Sequence, residues 1–110
     1  MRRAARVDDN QKAIVEAFRQ LGCSVLHLHS LGQGAGDILV GYGGLCMMCE
    51  VKDGSKPPSR RRLTALEDKF HASWTGGIRI VENLDDVAEC VKTLREWQQA
   101  IWSAKALTLT

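Results

Sequence analysis

Residues 36–52 read GDILVGYGGLCMMCEVK, and this stretch decides the fold. Two short strand-like runs of mostly apolar residues, 37–40 and 45–52, flank a glycine-rich segment at residues 41–44. Apolar runs of this length on both sides of such a segment predict a β-hairpin, with one strand on each side of the turn. The hairpin supplies the centre of a predicted sheet, to which the rest of the chain is added.

The second strand of the hairpin carries an acid and a base at its end. Side chains alternate between the two faces of a strand, so Glu50 and Lys52 share one face while Val51 lies on the other. Burial of either charge is unfavourable without a partner or a metal ion, so packing alone does not explain the pair. Because the turn folds the chain back, we expect Asp37 to lie beside Glu50.

Further helices and strands are predicted on both sides of the hairpin. Apolar residues recur at helical spacing near the start and the end of the chain, with strand-like runs between them. The predicted helices cover residues 9–21, 64–74 and the segment after residue 83, and the predicted strands cover residues 24–30, 37–40, 45–52 and 78–81. This order predicts an α/β fold: a single domain over residues 1–110, with a small mixed β-sheet flanked by helices.

Three local signals fix element boundaries. Thr64 with Glu67 three residues later is typical of a capping box, and Asn83 is a suitable N-cap for the last helix. The Pro57-Pro58 pair predicts that residues 54–62 form a surface loop.

The composition is that of an ordinary globular domain. Of the 110 residues, 45% are apolar and 25% are charged, and the net charge of +2 neither requires nor excludes a nucleic-acid partner. No apolar run is long enough to span a membrane, and the basic start with Arg2, Arg3 and Arg6 is not followed by the apolar stretch of a secretory signal. We therefore expect a cytoplasmic protein with reduced cysteines and no membrane partner.

The hairpin residues have the chemistry of a divalent metal site. Asp37 and Glu50 on adjacent strand ends offer the carboxylate oxygens that Mg²⁺ or Mn²⁺ prefers, and the main-chain carbonyl of Val51 is a third candidate ligand. Lys52 is placed to orient an attacking water and to offset charge on a phosphate. Separately, Asp37 could be a turn residue and Glu50 with Lys52 an exposed ion pair. Their joint occurrence favours a catalytic site.

The motif Gly36-Asp37 followed by Glu50-Val51-Lys52 resembles the D…ExK signature of the PD-(D/E)XK nuclease superfamily. The order of elements from residue 10 to about residue 87 is similar to compact members of the VRR-NUC and Holliday junction resolvase types, often encoded by phages and bacteria. Ala35 and Gly36 stand where many members have a proline, which is not a ligand. The resemblance implies a restriction-endonuclease-like αβββαβα core and a divalent-metal-dependent DNA endonuclease, structure-selective in the manner of a Holliday junction resolvase.

The same resemblance implies a further polar residue of the site on the first helix. Members usually carry a Glu or Gln there, and helix geometry separates the two candidates. Gln11 lies on the apolar arc with Ile14 and Phe18, whereas Glu16 lies on the solvated face. We therefore predict Gln11 as the site residue, acting as a weak neutral ligand or a water-positioning group.

Positive charge concentrates beside the predicted metal site. Lys56, Arg60, Arg61 and Arg62 belong to a loop that begins just beyond Lys52, so we predict that they contact DNA phosphates. A solvated loop is the alternative.

Two other functions and one assembly state need to be weighed. A non-catalytic DNA-binding or assembly protein with a nuclease fold is the main alternative, and Gln11 in place of an acid favours it. A zinc or thiol-redox module at Cys46 and Cys49 is disfavoured, because residues three apart in a strand face opposite ways. Trp97 and Trp102 near the end of the last helix predict a homodimer, which would supply the two symmetric cuts of junction resolution.

Overall fold

The structure is a computed structural model that describes residues 10–28 and 30–109. The regular elements of the described residues are α1 Gln11–Gln20, β1 Ser24–His27, β2 Ile38–Tyr42, β3 Leu45–Val51, α2 Ala65–Ser73, β4 Ile78–Val81 and α3 Leu84–Leu109. The predicted order of helix, three strands, helix, strand and helix is confirmed. Arg2, Arg3, Arg6 and His29 lie outside the described residues.

The four strands form one mixed sheet in the order β1-β2-β3-β4. The pairs β1–β2 and β2–β3 are antiparallel, whereas β3 and β4 run parallel. A parallel pair needs a crossover connection, and the segment containing α2 supplies it. The predicted α/β class with a small mixed sheet flanked by helices is therefore confirmed.

The central hairpin has a tighter turn than the predicted residues 41–44. Tyr42 pairs with Leu45, so only Gly43 and Gly44 form the loop. Their φ angles are 54° and 85°. Positive φ at both positions is what a two-residue hairpin turn of this kind requires, and it favours glycine. Gly41 was misassigned to the turn because glycine is rare inside strands, yet here it pairs with Cys46.

The first strand is shorter than the predicted residues 24–30. Pairing with β2 ends at His27, opposite Ile38. Leu28 then turns away, although its N–H still donates to the carbonyl of Asp37 at 2.8 Å. The chain leaves the sheet here because the glycine-rich segment after residue 30 must loop back to the start of β2.

The hydrophobic core lies on one face of the sheet, beneath α1 and α3. Alternation along β3 puts Met47, Cys49 and Val51 on this face, and Glu50 on the other. The buried core residues are Ile14, Val15, Phe18, Cys23, Ile38, Val40, Met47, Cys49, Val51, Val81, Val87, Cys90, Val91 and Leu94. The cysteines at positions 23, 46, 49 and 90 are free thiols. Cys46 is exposed while Cys49 is buried, as the predicted opposite orientation requires.

The last helix runs well past the sheet. Asn83 Oδ1 accepts from the N–H of Asp86 at 2.9 Å, which confirms the predicted cap. With 26 residues, α3 is about 39 Å long, whereas a strand of four to seven residues spans about 13–24 Å. Trp97 lies beside Gly77, and Ile101 and Trp102 lie beside the Gly43-Gly44 turn, but these three side chains remain 40%, 47% and 66% exposed. None of the helices in the described ranges combines the length and apolarity needed to cross a membrane.

Candidate active site

Asp37 is fixed at the junction of three chain segments. Its N–H donates to the carbonyl of Cys49 at 2.9 Å, and its carbonyl accepts from Leu28. Its side-chain Oδ2 accepts from the N–H of Val51 at 2.7 Å. Val51 is the last residue of β3, and its N–H therefore donates to a side-chain carboxylate instead of to a backbone carbonyl of the neighbouring strand. Since the N–H and C=O of one strand residue point to the same edge, the Val51 carbonyl points to the β2 side of β3.

The close approach of Asp37 to β3 depends on the residue before it. A Cβ on Gly36 would lie 2.7 Å from Met48 Cγ and 3.0 Å from the Cys49 carbonyl oxygen. The incoming chain therefore presses directly against β3 at this position. A side chain there would push Asp37 away from Val51.

Glu50 is a buried acid. Only 1% of the residue is exposed, and its Oε1 has no hydrogen-bond partner among the described residues. Burial raises the pKa of Glu50 to about 11, with further contributions from hydrogen bonds to the carboxyl groups of Asp37 and Glu67 and from their negative charges. A hydrogen bond between two carboxyl groups needs a proton on one of them, and the raised pKa means that Glu50 favours its protonated form.

Glu67 lies in the same cluster, which the sequence did not predict. The capping box of α2 is confirmed, because the N–H of Thr64 donates to Glu67 Oε1 at 2.8 Å and the N–H of Glu67 donates to Thr64 Oγ1 at 3.2 Å. The same Oε1 also accepts from Lys52 Nζ at 3.0 Å. The sequence identified the cap, but it carried no signal for a contact across fifteen residues.

The charge state of Glu67 is opposite to that of Glu50. Burial alone would raise its pKa. Hydrogen bonds with Glu50, the Thr64 backbone and Lys52, together with the Lys52 charge, outweigh burial and lower the pKa of Glu67 to about 2. Glu67 is therefore an anion at neutral pH, while the metal-free Glu50 is protonated.

Gln11 faces inward, as predicted, and Glu16 is exposed. The side chain of Gln11 is directed to β1, where its Nε2 lies 3.4 Å from His27 Nδ1. Its Oε1 is buried and has no partner in the described part of the chain. Gln11 shares the α1 face that packs against Val51, so it approaches the end of β3 from the side opposite to Glu50.

The start of α1 is nevertheless tied to this end of the sheet. Asn10 Nδ2 donates to the Lys52 carbonyl at 3.1 Å and to the Glu82 carbonyl at 3.0 Å. These bonds place the first turn of α1 across the ends of β3 and β4. Asp37, Glu50, Val51 and Lys52 thus lie together at one end of β3, and Gln11 lies on the side of the sheet opposite to Glu50.

The basic loop divides into structural and exposed residues. Arg61 Nη1 forms an ion pair with Glu82 Oε2 at 2.7 Å, and Arg61 Nε donates to the Lys56 carbonyl at 2.8 Å. Arg61 therefore holds the loop against the end of β4. Arg60 and Arg62 are exposed on either side of it, and the loop contains a short 3₁₀ turn at Pro58–Arg60.

The donor set suits a hard divalent cation in part. In the described ranges, no group of three or more His, Cys, Asp or Glu side chains forms a complete metal site. Asp37 and Glu50 supply two carboxylates, so the Val51 carbonyl and water would have to complete the shell. Glu50 Oε1 is a buried acceptor without a donor, which a cation would satisfy.

Comparison of the chain with protein-family models, with curated proteins and with solved structures finds no match. The interpretation of this site therefore rests on its residues and their geometry.

The buried acid gives a pH prediction that does not depend on any catalytic role. With a folded pKa of about 11, Glu50 keeps a proton that the unfolded chain releases above its ordinary pKa of 4.5. The free energy of unfolding in EDTA should therefore fall as pH rises between these values, by at most about 1.4 kcal/mol per pH unit. Urea denaturation of the wild type and of Glu50→Gln at about pH 6 and about pH 9, which lie between the unfolded and folded pKa values of Glu50, measures this fall. The neutral amide of Glu50→Gln cannot release a proton, so its free energy of unfolding should lack this pH dependence. Equal pH slopes for the wild type and Glu50→Gln would show that Glu50 is ionised in the folded state.

Proposed function

We propose that the chain is a divalent-metal-dependent DNA endonuclease of the PD-(D/E)XK type. The observation that carries this proposal is the buried Glu50, whose unpartnered Oε1 lies in a carboxyl cluster with Asp37 while Lys52 stands two residues along the same strand. A buried acid of this kind is unfavourable for stability, and such groups are retained where function requires them.

Asp37, Glu50 and the Val51 carbonyl would hold Mg²⁺ or Mn²⁺. Bound there, the ion would lower the pKa of a water molecule and neutralise charge on the scissile phosphate. The hydrogen bond from the Val51 N–H holds the Asp37 carboxylate at the strand end, where it would bind the ion together with Glu50. Lys52 would orient the water and stabilise the developing charge on the phosphate through its ammonium group.

The main alternative is a DNA-binding protein that does not cleave. The specific observation in its favour is Gln11, a neutral residue whose amide faces His27 from behind the strand end. In that case Glu50 would remain protonated and Lys52 would serve as an ion-pair partner of Glu67 only. Cleavage assays separate the two proposals directly.

Branched DNA is the substrate we favour. The exposed Arg60 and Arg62 flank the structural Arg61, and such side chains contact phosphates without reading bases. A domain of 110 residues has little further surface near the site for base recognition, so shape is easier to recognise than sequence.

A symmetric junction needs two active sites, and we propose that a second copy of the chain supplies the other. Trp97 lies beside Gly77, and Ile101 and Trp102 line a pocket with the Gly43-Gly44 turn, yet all three remain exposed on α3 and form the surface we assign to the interface. Two-fold pairing of such a patch would bury it and present two equivalent sites.

Substitution at the site tests the proposed activity. Lys52→Ala and Glu50→Gln should each lower Mg²⁺-dependent cleavage of a labelled four-way junction by at least about 100-fold, because transition-state charge stabilisation of this kind has that magnitude. DNA affinity should stay close to that of the wild type. Lys69→Ala, at an exposed lysine of α2, is the matched control and should cleave normally. Wild-type cutting that persists in excess EDTA, or full activity in both site variants, would refute the metal-dependent mechanism.

Salt dependence tests the role of the loop. Replacing Arg60 and Arg62 together by alanine should reduce the slope of log affinity against log salt by about 1.8 for duplex DNA, since each phosphate contact contributes about 0.9. Arg19→Ala on the solvated side of α1 should leave the slope unchanged. If the double variant and the control bind alike across a salt titration, the loop is only solvated surface.

Sedimentation equilibrium tests the dimer. The wild type should show about twice the monomer mass of 12.2 kDa, and Trp97→Glu with Trp102→Glu should dissociate it. Trp74→Glu introduces the same change at an exposed tryptophan just after α2 and should leave the dimer intact. A wild-type mass near that of one chain at all concentrations contradicts the proposal.

A further inference from the structure

A single oxygen of Glu67 receives two donors from opposite ends of the basic loop. Oε1 accepts from Lys52 Nζ, at the end of β3, at 3.0 Å and from the N–H of Thr64, at the start of α2, at 2.8 Å. The side chains of Lys52 and Glu67 are only 13% and 18% exposed. Lys52, which follows β3, and Thr64, which caps α2, thus donate to the same oxygen atom, Oε1 of Glu67.

The position of that oxygen is set by the helix rather than by Lys52. The N–H of Glu67 donates to Thr64 Oγ1 at 3.2 Å, and the helix N-terminus favours a carboxylate in its first turn. The chain before β2 adds a second restraint, because a Cβ on Gly34 would collide with the carbonyl of Leu66. The cap at Thr64 and the chain at Gly34 therefore restrain Glu67 independently of its contact with Lys52.

A largely buried pair of this kind constrains the lysine more than a surface pair does. Exposed ion pairs are weak because water competes for both charges and the long side chains lose freedom. Here both side chains are mostly shielded from water, and their charged atoms lie 3.0 Å apart. The ion pair therefore restrains Lys52 Nζ beside Glu67, whose carboxyl group in turn interacts with Glu50.

We propose that Glu67 is a positioning residue that holds Lys52 in its reactive orientation and links it to the first turn of α2. The kinetic part of this inference rests on the proposed nuclease function. The contact between Lys52 and Glu67 does not depend on that function. Glu67 then has two separable effects, a stabilising cap and an aligned lysine, and only the second should influence turnover.

Three variants separate the effects. Glu67→Ala removes both, Glu67→Gln keeps an oxygen that can accept from Lys52 and Thr64, and Thr64→Ala weakens the cap but leaves the carboxylate beside Lys52. Each alanine substitution removes one hydrogen bond of the cap, so the variants at positions 64 and 67 form a matched pair.

The kinetic experiment compares kcat and KM for a four-way junction with Mg²⁺. Glu67→Ala should lower kcat by at least about tenfold, because small misplacements of a catalytic group have effects up to about 100-fold, while KM changes little. Thr64→Ala should leave kcat near the wild-type value, and Glu67→Gln should recover most of it. Equal losses of kcat in Glu67→Ala and Thr64→Ala would overturn the positioning role, because a structural effect alone would then explain both.

A second experiment needs no activity. The metal-free protein is acetylated with acetic anhydride in EDTA, and the rate at Lys52 is followed by peptide mass spectrometry relative to the exposed Lys69. Glu67→Ala should accelerate acetylation of Lys52 severalfold, whereas Thr64→Ala should not. An unchanged rate in Glu67→Ala overturns the inference whatever the kinetics show. A wild type that does not cleave DNA refutes the proposed function and the kinetic role, while this measurement still decides the contact.

Discussion

The hydrogen bond from the Val51 N–H to the carboxylate of Asp37 ties the site to the fold. Asp37 precedes β2 and Val51 ends β3, so this 2.7 Å bond closes the hairpin at the end opposite its glycine turn. It uses a side chain where the ladder would otherwise need a backbone acceptor, and it leaves one carboxylate oxygen for other partners. The arrangement turns a strand end into a polar site without breaking the sheet.

The same closure creates an electrostatic conflict. Closing the hairpin brings Glu50 close to Asp37, and α2 adds Glu67, so three carboxyl groups share one partly shielded volume. Lys52 forms an ion pair with the outer member, Glu67. The repulsion between the inner pair, Glu50 and Asp37, is offset by a proton or by a cation. The stability of the free protein is therefore linked to the chemistry that we propose.

Local patterns of the sequence were sufficient to predict most of the fold. Glycines between two apolar runs predicted the hairpin, the Thr64–Glu67 spacing predicted a helix start, and the stripe that includes Leu94 predicted the buried side of α3. Each depends on neighbours within a few residues, where backbone geometry is the main constraint. The early end of β1 was missed because apolar alternation continues through Leu28 after the pairing stops.

The parts of the site that sequence did not reveal depend on distant contacts. Strand alternation placed Glu50 and Lys52 on one face, but nothing local indicated that Glu67 would reach Lys52. Likewise, Arg61 looked equivalent to Arg60, and only the position of Glu82 at the end of β4 distinguishes a structural arginine from an exposed one. Charged side chains are long and flexible, so their partners are set by tertiary packing rather than by spacing.

The most direct test of the central claim is an anomalous diffraction measurement on crystals soaked in Mn²⁺. Our account expects one anomalous peak about 2.1 Å from oxygens of Asp37, Glu50 and the Val51 carbonyl, and the loss of that peak in Glu50→Gln crystals soaked identically. A peak bound elsewhere, or no peak at this strand end at Mn²⁺ concentrations well above those used for DNA cleavage, would contradict it.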